Sequence, residues 1–199
     1  MTKEQLPVSL DNLFRQKFQL DNDQLALISD KLRQTNINKK DFYLKQGDIA
    51  KSKAFLVKGA VRYFYLDNNL KENTLFFRFE NMWLGDIESY HEQTPSKISI
   101  QALEDSELLI INKADFAILQ QQIPALEKWY AINSVKMYAS LFNKLVEAKL
   151  RTPEEKYLHL LDNEPQIFQR VSLQHIAAYL EIEPQSLSRL RKRLLKSHK

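Results

Sequence analysis

Apolar positions along the chain change period twice. Up to about residue 35 they recur at helical spacing: Leu10, Leu13 and Phe14 share one face, and Leu25, Ile28 and Leu32 form a second stripe at i, i+3, i+7. From Asp41 to Ile111 the texture becomes short apolar or alternating runs rich in Phe, Tyr, Val and Ile, bounded by polar turn residues. The runs 42–44, 55–57, 61–66, 74–79, 82–84, 98–102 and 108–111 predict seven or eight short strands, and hence a β-sandwich, a jelly roll or a barrel. Asp67-Asn68-Asn69 reads as a hairpin turn, because Asn and Asp tolerate left-handed backbone and bond their own chain locally. Lys45-Gln46-Gly47-Asp48 marks another, with Gly47 free to take positive φ.

After Asn112 the helical period returns, first in a short helix containing Phe116 and Leu119, then in a long one from about Pro124 to Lys149. The long helix carries two apolar stripes, Tyr130, Met137, Leu141, Leu145 and Ala148 on one and Val135, Tyr138, Phe142 and Val146 on its neighbour. One face can pack on the strands while the other meets a second copy, although a wide stripe is also what an ordinary core helix shows. Thr152-Pro153-Glu154-Glu155 then reads as an N-cap, a proline in the first turn and acidic residues favoured by the helix dipole, so a new unit opens there.

Residues 171–195, VSLQHIAAYLEIEPQSLSRLRKRLL, hold the most specific order of signals. Ser172 can cap a helix whose inner face is Leu173, Ile176, Ala177 and Leu180. A turn follows at Glu181 to Glu183, with Ile182 available to fill the angle. Pro184 starts a second helix that buries Leu187, Leu190 and Leu194. This is a helix-turn-helix pattern, and Glu181 departs from it by standing where a glycine commonly supplies positive φ. The second helix presents Gln185, Ser186, Ser188, Arg189, Lys192 and Arg193 off its buried face, groups suited to base edges and phosphates in a major groove. An ordinary helical hairpin with a basic side would look similar.

Charge sharpens that choice. The first 148 residues balance at 19 basic and 19 acidic groups, whereas the remaining 51 hold ten against six, so the whole net charge of +4 lies at that end. A localised positive surface fits a polyanionic partner. Composition also excludes. The absence of cysteine removes disulfides, thiolate metal sites and cysteine nucleophiles, and three scattered glycines, Gly47, Gly59 and Gly85, build neither a P-loop nor a dinucleotide-binding turn. The four histidines, His91, His159, His175 and His198, show no metal-ligand spacing, and no nucleophile is paired with a base, so neither a metal site nor an enzyme is expected. No apolar run is long enough for a membrane span and the start lacks a signal-peptide pattern, which gives a cytoplasmic expectation with no membrane partner.

Strands, a long helix and a C-terminal helix-turn-helix in this order resemble the Crp/Fnr family of transcription regulators, in the lean form found in Bacteroidetes-type bacteria. The likeness rests on Lys45-Gln46-Gly47-Asp48, Phe55-Leu56-Val57-Lys58-Gly59-Ala60-Val61, Gly85-Asp86-Ile87, Ala102-Leu103-Glu104 and Leu187-Ser188-Arg189-Leu190-Arg191-Lys192. It implies an α+β chain. Residues 1–123 would form a cyclic-nucleotide-binding-like double-stranded β-helix, or jelly roll; 124–149 a dimerisation helix using Tyr130, Met137, Leu141 and Leu145; and 150–199 a winged-helix-like helix-turn-helix domain. The implied function is sequence-specific DNA binding by a homodimer, with double-stranded DNA, a second copy and RNA polymerase as partners. Gln185 and Arg189 would contact bases, Ser186 and Ser188 either bases or backbone, and Arg191, Lys192 and Arg193 phosphates.

Members that bind cyclic nucleotides use a Gly-Glu-Leu…Arg-Ser-Ala cassette. Here Gly85-Asp86-Ile87 matches its first half with a shorter carboxylate, while Ser96 stands at the arginine position with Lys97 beside it. Lysine lacks the bidentate fork that grips a phosphate, so tight cAMP binding is not expected. The pocket residues would be Gly85, Asp86, Ile87, Glu88, Ser96, Lys97 and Ser99, with the effector unidentified and a degenerate, scaffold-only pocket as the alternative. A second function also stays open: a small-molecule-binding or protein-interaction module whose C-terminal helices contact a protein.

Overall fold

The computed structural model describes residues 6–197; His198 lies outside the described residues. Two helices come first, α1 (Val8–Phe18) and α2 (Asn22–Lys31). Helix α2 is started by a reciprocal cap in which Asp21 Oδ1 accepts from the Gln24 amide and Gln24 Oε1 accepts from the Asp21 amide. Strands follow as β1 (Arg33–Ile37), β2 (Phe42–Leu44), β3 (Ser52–Lys58), β4 (Val61–Leu66), β5 (Glu72–Arg78) and β6 (Met82–Leu84). A short helix α3 (Ile87–Glu92) precedes β7 (Ser99–Ala102) and β8 (Ser106–Asn112). They form two four-stranded antiparallel sheets, ordered β1-β8-β3-β6 and β2-β7-β4-β5, packed as a sandwich.

Each expected run coincides with a strand, with Phe79 and Ile98 just outside β5 and β7, but the first 35 residues are not helical throughout. Arg33–Ile37 is the edge strand β1, paired antiparallel with β8 from Arg33 opposite Ile110 to Ile37 opposite Ser106. Its sequence, RQTNI, has a single apolar residue because an edge strand leaves most of its side chains in solvent, so hydrophobic period does not reveal it. The Asp67 turn also forms, with Asp67 Oδ1 accepting from the amides of Asn69 and Lys71, yet the left-handed residue is Leu70, at φ 60°.

Helix α4 (Lys113–Gln122) leads to the long α5 (Pro124–Leu150), and then come α6 (Pro153–Asn163), α7 (Ile167–Arg170), α8 (Leu173–Tyr179) and α9 (Pro184–Ser197). Among the described residues everything after Asn112 is helix or turn, with no wing strand, and no helix is long and apolar enough to cross a membrane.

Three cores hold these layers. Tyr63, Leu56, Ile100 and Leu108 fill the sandwich interior. On the outer face of β3, Phe55 joins Leu10, Phe14, Leu25, Ile28, Phe116 and Trp129 from the surrounding helices. The third core spans the two halves of the chain: Ala60, Phe77, Phe79 and Leu103 of the sandwich pack with Tyr157, Leu160, Ile167, Ile176, Leu180, Leu187 and Leu190. The C-terminal helices therefore sit on the sandwich rather than hang from α5.

The β3–β4 turn needs its glycine. Gly59 has φ +112°, and a Cβ there would lie 2.1 Å from Ser106 Oγ and 2.8 Å from Ser106 Cα. Gly59→Ala is expected to lower the unfolding free energy by about 2–4 kcal/mol through backbone strain and overpacking, read as a fall in urea midpoint. An unchanged midpoint would show that the turn relaxes freely.

Candidate DNA-reading helices and sensor cassette

Helices α8 and α9 are set by local rules before any partner is considered. Ser172 Oγ accepts from the His175 amide and caps α8. At its other end Glu181 adopts φ 58°; its amide donates to Ala178 O, and the Ile182 amide donates back to Ala177 O at 3.0 Å. That pair of bonds is a Schellman closure with a glutamate doing the work of the usual glycine. Ile182 packs into the third core, as its position in the turn predicts. Ile176, Ala177 and Leu180 are buried, but Leu173 is 39% exposed, because the first turn of α8 projects past the core.

On α9, Leu187 and Leu190 face inward while Gln185, Ser188, Arg189 and Lys192 form one exposed row. Ser188 Oγ donates to Pro184 O, and Arg189 Nη2 donates to Ser186 Oγ at 3.2 Å. Ser186 is half-buried, and Arg191 lies half-buried on the flank of the apolar face, off the exposed row. Arg193 is ion-paired with Glu154 of α6.

The cassette residues bond mainly to one another and to nearby backbone. Asp86 Oδ1 accepts from the Ser89 amide and caps α3, and Oδ2 lies 2.7 Å from Ser96 Oγ. Ser96 is buried, its hydroxyl also within reach of Ile98 O, and buried Ser99 accepts from the Gln46 amide. Lys97 and Glu88 pair with each other in solvent. Gly85, Asp86 and Ile87 alone of the seven line a cavity, and that cavity opens toward α5. On α5, Tyr130 is turned into its own chain, over Lys53 and against Phe116, so it is not free to meet a second copy; Met137 is half-buried at the same cavity. Leu141 and Leu145 are exposed, and so is the whole second stripe, with Val135 at 68% and Tyr138 at 71%.

Sequence reasoning missed the charges that join the two halves. Arg62 of β4 is only 3% exposed. Its side chain runs along the strand over the Phe64 ring, donates to Gln101 Oε1 of β7 and Glu72 Oε2 of β5, and lies 3.0 Å from His175 Nδ1 of α8. A guanidinium only donates, so Nδ1 accepts and the imidazole is neutral with its proton on Nε2. Desolvation first, and the positive charge of Arg62 second, push the His175 pKa down to about 4. Arg170 of α7 grips Glu80 with two bonds and also pairs with Glu104. Glu80 Oε1 accepts in addition from the Gly59 amide, and the Arg170 guanidinium holds the Glu80 carboxyl down to about 2. The available signal was a single Arg inside the aromatic strand VRYFYL.

Residues 34–122 match the family model of the cyclic nucleotide-binding domain. No curated protein sequence matches the chain. Among solved structures it is similar to CLP of Xanthomonas campestris, described as a c-di-GMP responsive global regulator, at TM-score 0.71 and 17% identity over 89% of this chain and 93% of that one. A putative regulator of the Crp/Fnr family from Eubacterium rectale gives 0.69 and 17%, over 94% and 88%. FixK2 of Bradyrhizobium japonicum gives 0.67 and 14%, over 84% and 86%.

The His175 environment has a measurable consequence. A helical unit released from the sandwich would take up a proton near the ordinary histidine value of 6.5, whereas the docked one resists until about 4. Docking is therefore at full strength above pH 6.5 and weakens as pH falls through that window. In a nuclear magnetic resonance titration the His175 ring should show a midpoint near pH 4; a midpoint at an ordinary histidine value would contradict the buried acceptor.

Proposed function

From a chain whose residues 34–122 match the cyclic nucleotide-binding domain and whose fold is similar to that of Crp/Fnr transcription regulators, we propose a homodimeric, sequence-specific DNA-binding regulator whose sensor domain is not tuned to cAMP. The observation that carries this reading is the α8–turn–α9 unit, with its capped start, its left-handed closure at Glu181 and one solvent-facing row on α9 made of Gln185, Ser188, Arg189 and Lys192. A helix inserted N-terminus first places Gln185 and Arg189 against base edges, with Ser186 and Ser188 close by. Lys192, Arg193 and the flanking Arg191 are suited to phosphates; Arg193 would exchange Glu154 for a phosphate oxygen, trading one charge-assisted pair for another.

The exposed stripe of α5 supports the dimer. Val135, Tyr138, Phe142 and Val146 leave an apolar surface in water, with the Tyr138 and Phe142 rings stacked along it. A second copy packed there in parallel would set two α9 helices on successive major grooves about 34 Å apart. The cassette supports the remaining part. A cyclic phosphate wants a fixed guanidinium, and at that place Ser96 is already engaged with Asp86, while the nearby Lys97 is held by Glu88.

Arg189→Ala is expected to cost about 1–3 kcal/mol of DNA affinity and to relax preference at one base pair. Lys192→Ala should weaken all sequences alike and flatten the salt slope by about one. Sites for both measurements come from selecting genomic fragments with the purified protein, with and without cAMP. A two-fold-symmetric motif enriched in both arms supports the reading. One enriched only with cAMP would overturn the cassette assignment, and sequence-blind binding abolished by salt would favour a protein-interaction module. Calorimetry with cAMP alone should show no binding in the micromolar range.

A further inference from the structure

Lysine 53 occupies a position that alternation reserves for the core. On β3 it shares a face with Phe55, turned toward the helices, and it pairs with Ile111 on β8. It is 8% exposed, and its Nζ has no hydrogen-bond partner. The rings of Tyr130, Phe116 and Tyr90 surround the amine, with centroids at 3.4, 4.1 and 4.3 Å. Burial, reinforced by the charge of Lys113, lowers the Lys53 pKa to about 7. A buried cation without a counter-ion is costly, and cation–π contacts offset only part of that cost.

Lys53 lines a cavity of about 420 Å³ between β6, the Gly85–Ile87 turn and the first half of α5, a size that suits a small organic ligand. Its walls include Trp83, Trp129, Tyr90 and Met137, and the indoles of Trp83 and Trp129 meet edge to face at 5.2 Å. Trp83 Nε1 is a second buried donor without a partner. Two unanswered donors thus lie in the cavity wall, just beneath its surface, and a ligand meets them as the side chains over them shift. Of the charged groups around it, Lys53, Arg78 and Lys136 are cations, and the one carboxylate, Asp86, already has both oxygens engaged. Ser96, Lys97 and Ser99 of the cassette do not line it.

We propose that this cavity binds an organic carboxylate with an aromatic or aliphatic body, the body lying against Trp83 and Trp129 and the carboxylate reaching the Lys53 amine. The ligand answers both anomalies at once. It supplies the missing acceptor and counter-charge, and it fills a largely apolar space. The site shares the Gly85–Ile87 turn with the cassette but not Ser96, Lys97 or Ser99, and it stands whether or not α9 reads DNA.

The chain has two tryptophans and both are in the wall, so indole emission reports on this site directly. The full chain is titrated with phenylpropionate and with decanoate, and in parallel with the neutral phenylpropanol and decanol. The expected result is a saturable emission change with at least one carboxylate, bound about tenfold or more tightly than its alcohol, equivalent to about 1.4 kcal/mol. Lys53→Met, which keeps the volume, should bring acid and alcohol to equal affinity. No saturable change with either acid, alcohols binding the native chain as tightly as acids, or a preference that survives Lys53→Met would each overturn the proposal. Should Lys53→Met fail to fold, the acid against alcohol comparison on the native chain decides alone.

Discussion

A guanidinium cannot shed its charge and cannot accept a hydrogen bond, so burying one fixes everything around it. Arg62, almost wholly out of solvent, obtains its partners from two neighbouring strands and from α8 together. Arg170 does the converse, reaching from α7 to carboxylates on two turns of the sandwich. Each half of the chain therefore supplies groups that the other would leave stranded, and removing one partner from such a pair costs more than the pair contributes. Between the two arginines lies the apolar part of the junction, from Phe77 and Phe79 to Ile176 and Leu180. Apolar burial gives this junction its strength, and the charges set its register.

The register determines what each remaining surface can do. With α8 against β5, α9 carries its polar row outward, and α5 runs past the junction with its second apolar stripe uncovered. The sandwich and the helix-turn-helix are thus parts of one packed body, in which a shift at the Gly59, Glu80 and Glu104 turns is felt at Arg170. A ligand on the sandwich changes the disposition of α9 only to the extent that it binds one arrangement better than another. The ion pairs that cross the junction, Arg170 with Glu80 and Glu104, are partly wet, while its apolar part is dry. Breaking them costs far less than opening the dry interior around Leu56 and Ile100.

The sequence made the elements legible where a local rule makes them. Thr152 with Glu155, Ser172 before α8 and Pro184 at the start of α9 are signals carried within four residues, and each element begins there. The strands from β2 to β8 announced themselves by their aromatic and β-branched runs. Edge strand β1 did not, since what makes it a strand is β8, more than seventy residues away. The same distance hid the junction. Nothing near Arg62 in sequence names His175 as its neighbour, and nothing near Arg170 names Glu80. For the cassette, the family resemblance suggested the residues, but only their geometry reveals that Asp86 and Ser96 are spent on each other.

Lys53 and Ser96 make opposite use of polar groups, and the contrast bears on where chemistry resides in this fold. Ser96, which the resemblance sets at the cassette's arginine position, is satisfied by the surrounding backbone and Asp86. Lys53 stands on a strand face meant for apolar side chains and keeps three N–H groups with no acceptor, only ring faces. A strand that tolerates such a residue gives up packing energy that leucine or methionine would recover. Structural reasons for retaining a buried charge usually appear as a bonded partner, as they do for Arg62. Lys53 has none among the described residues, and its side chain lines a cavity. Polar groups that the fold satisfies belong to its architecture, whereas the Lys53 amine, without a hydrogen-bond partner, is where the proposed ligand's charge would fit.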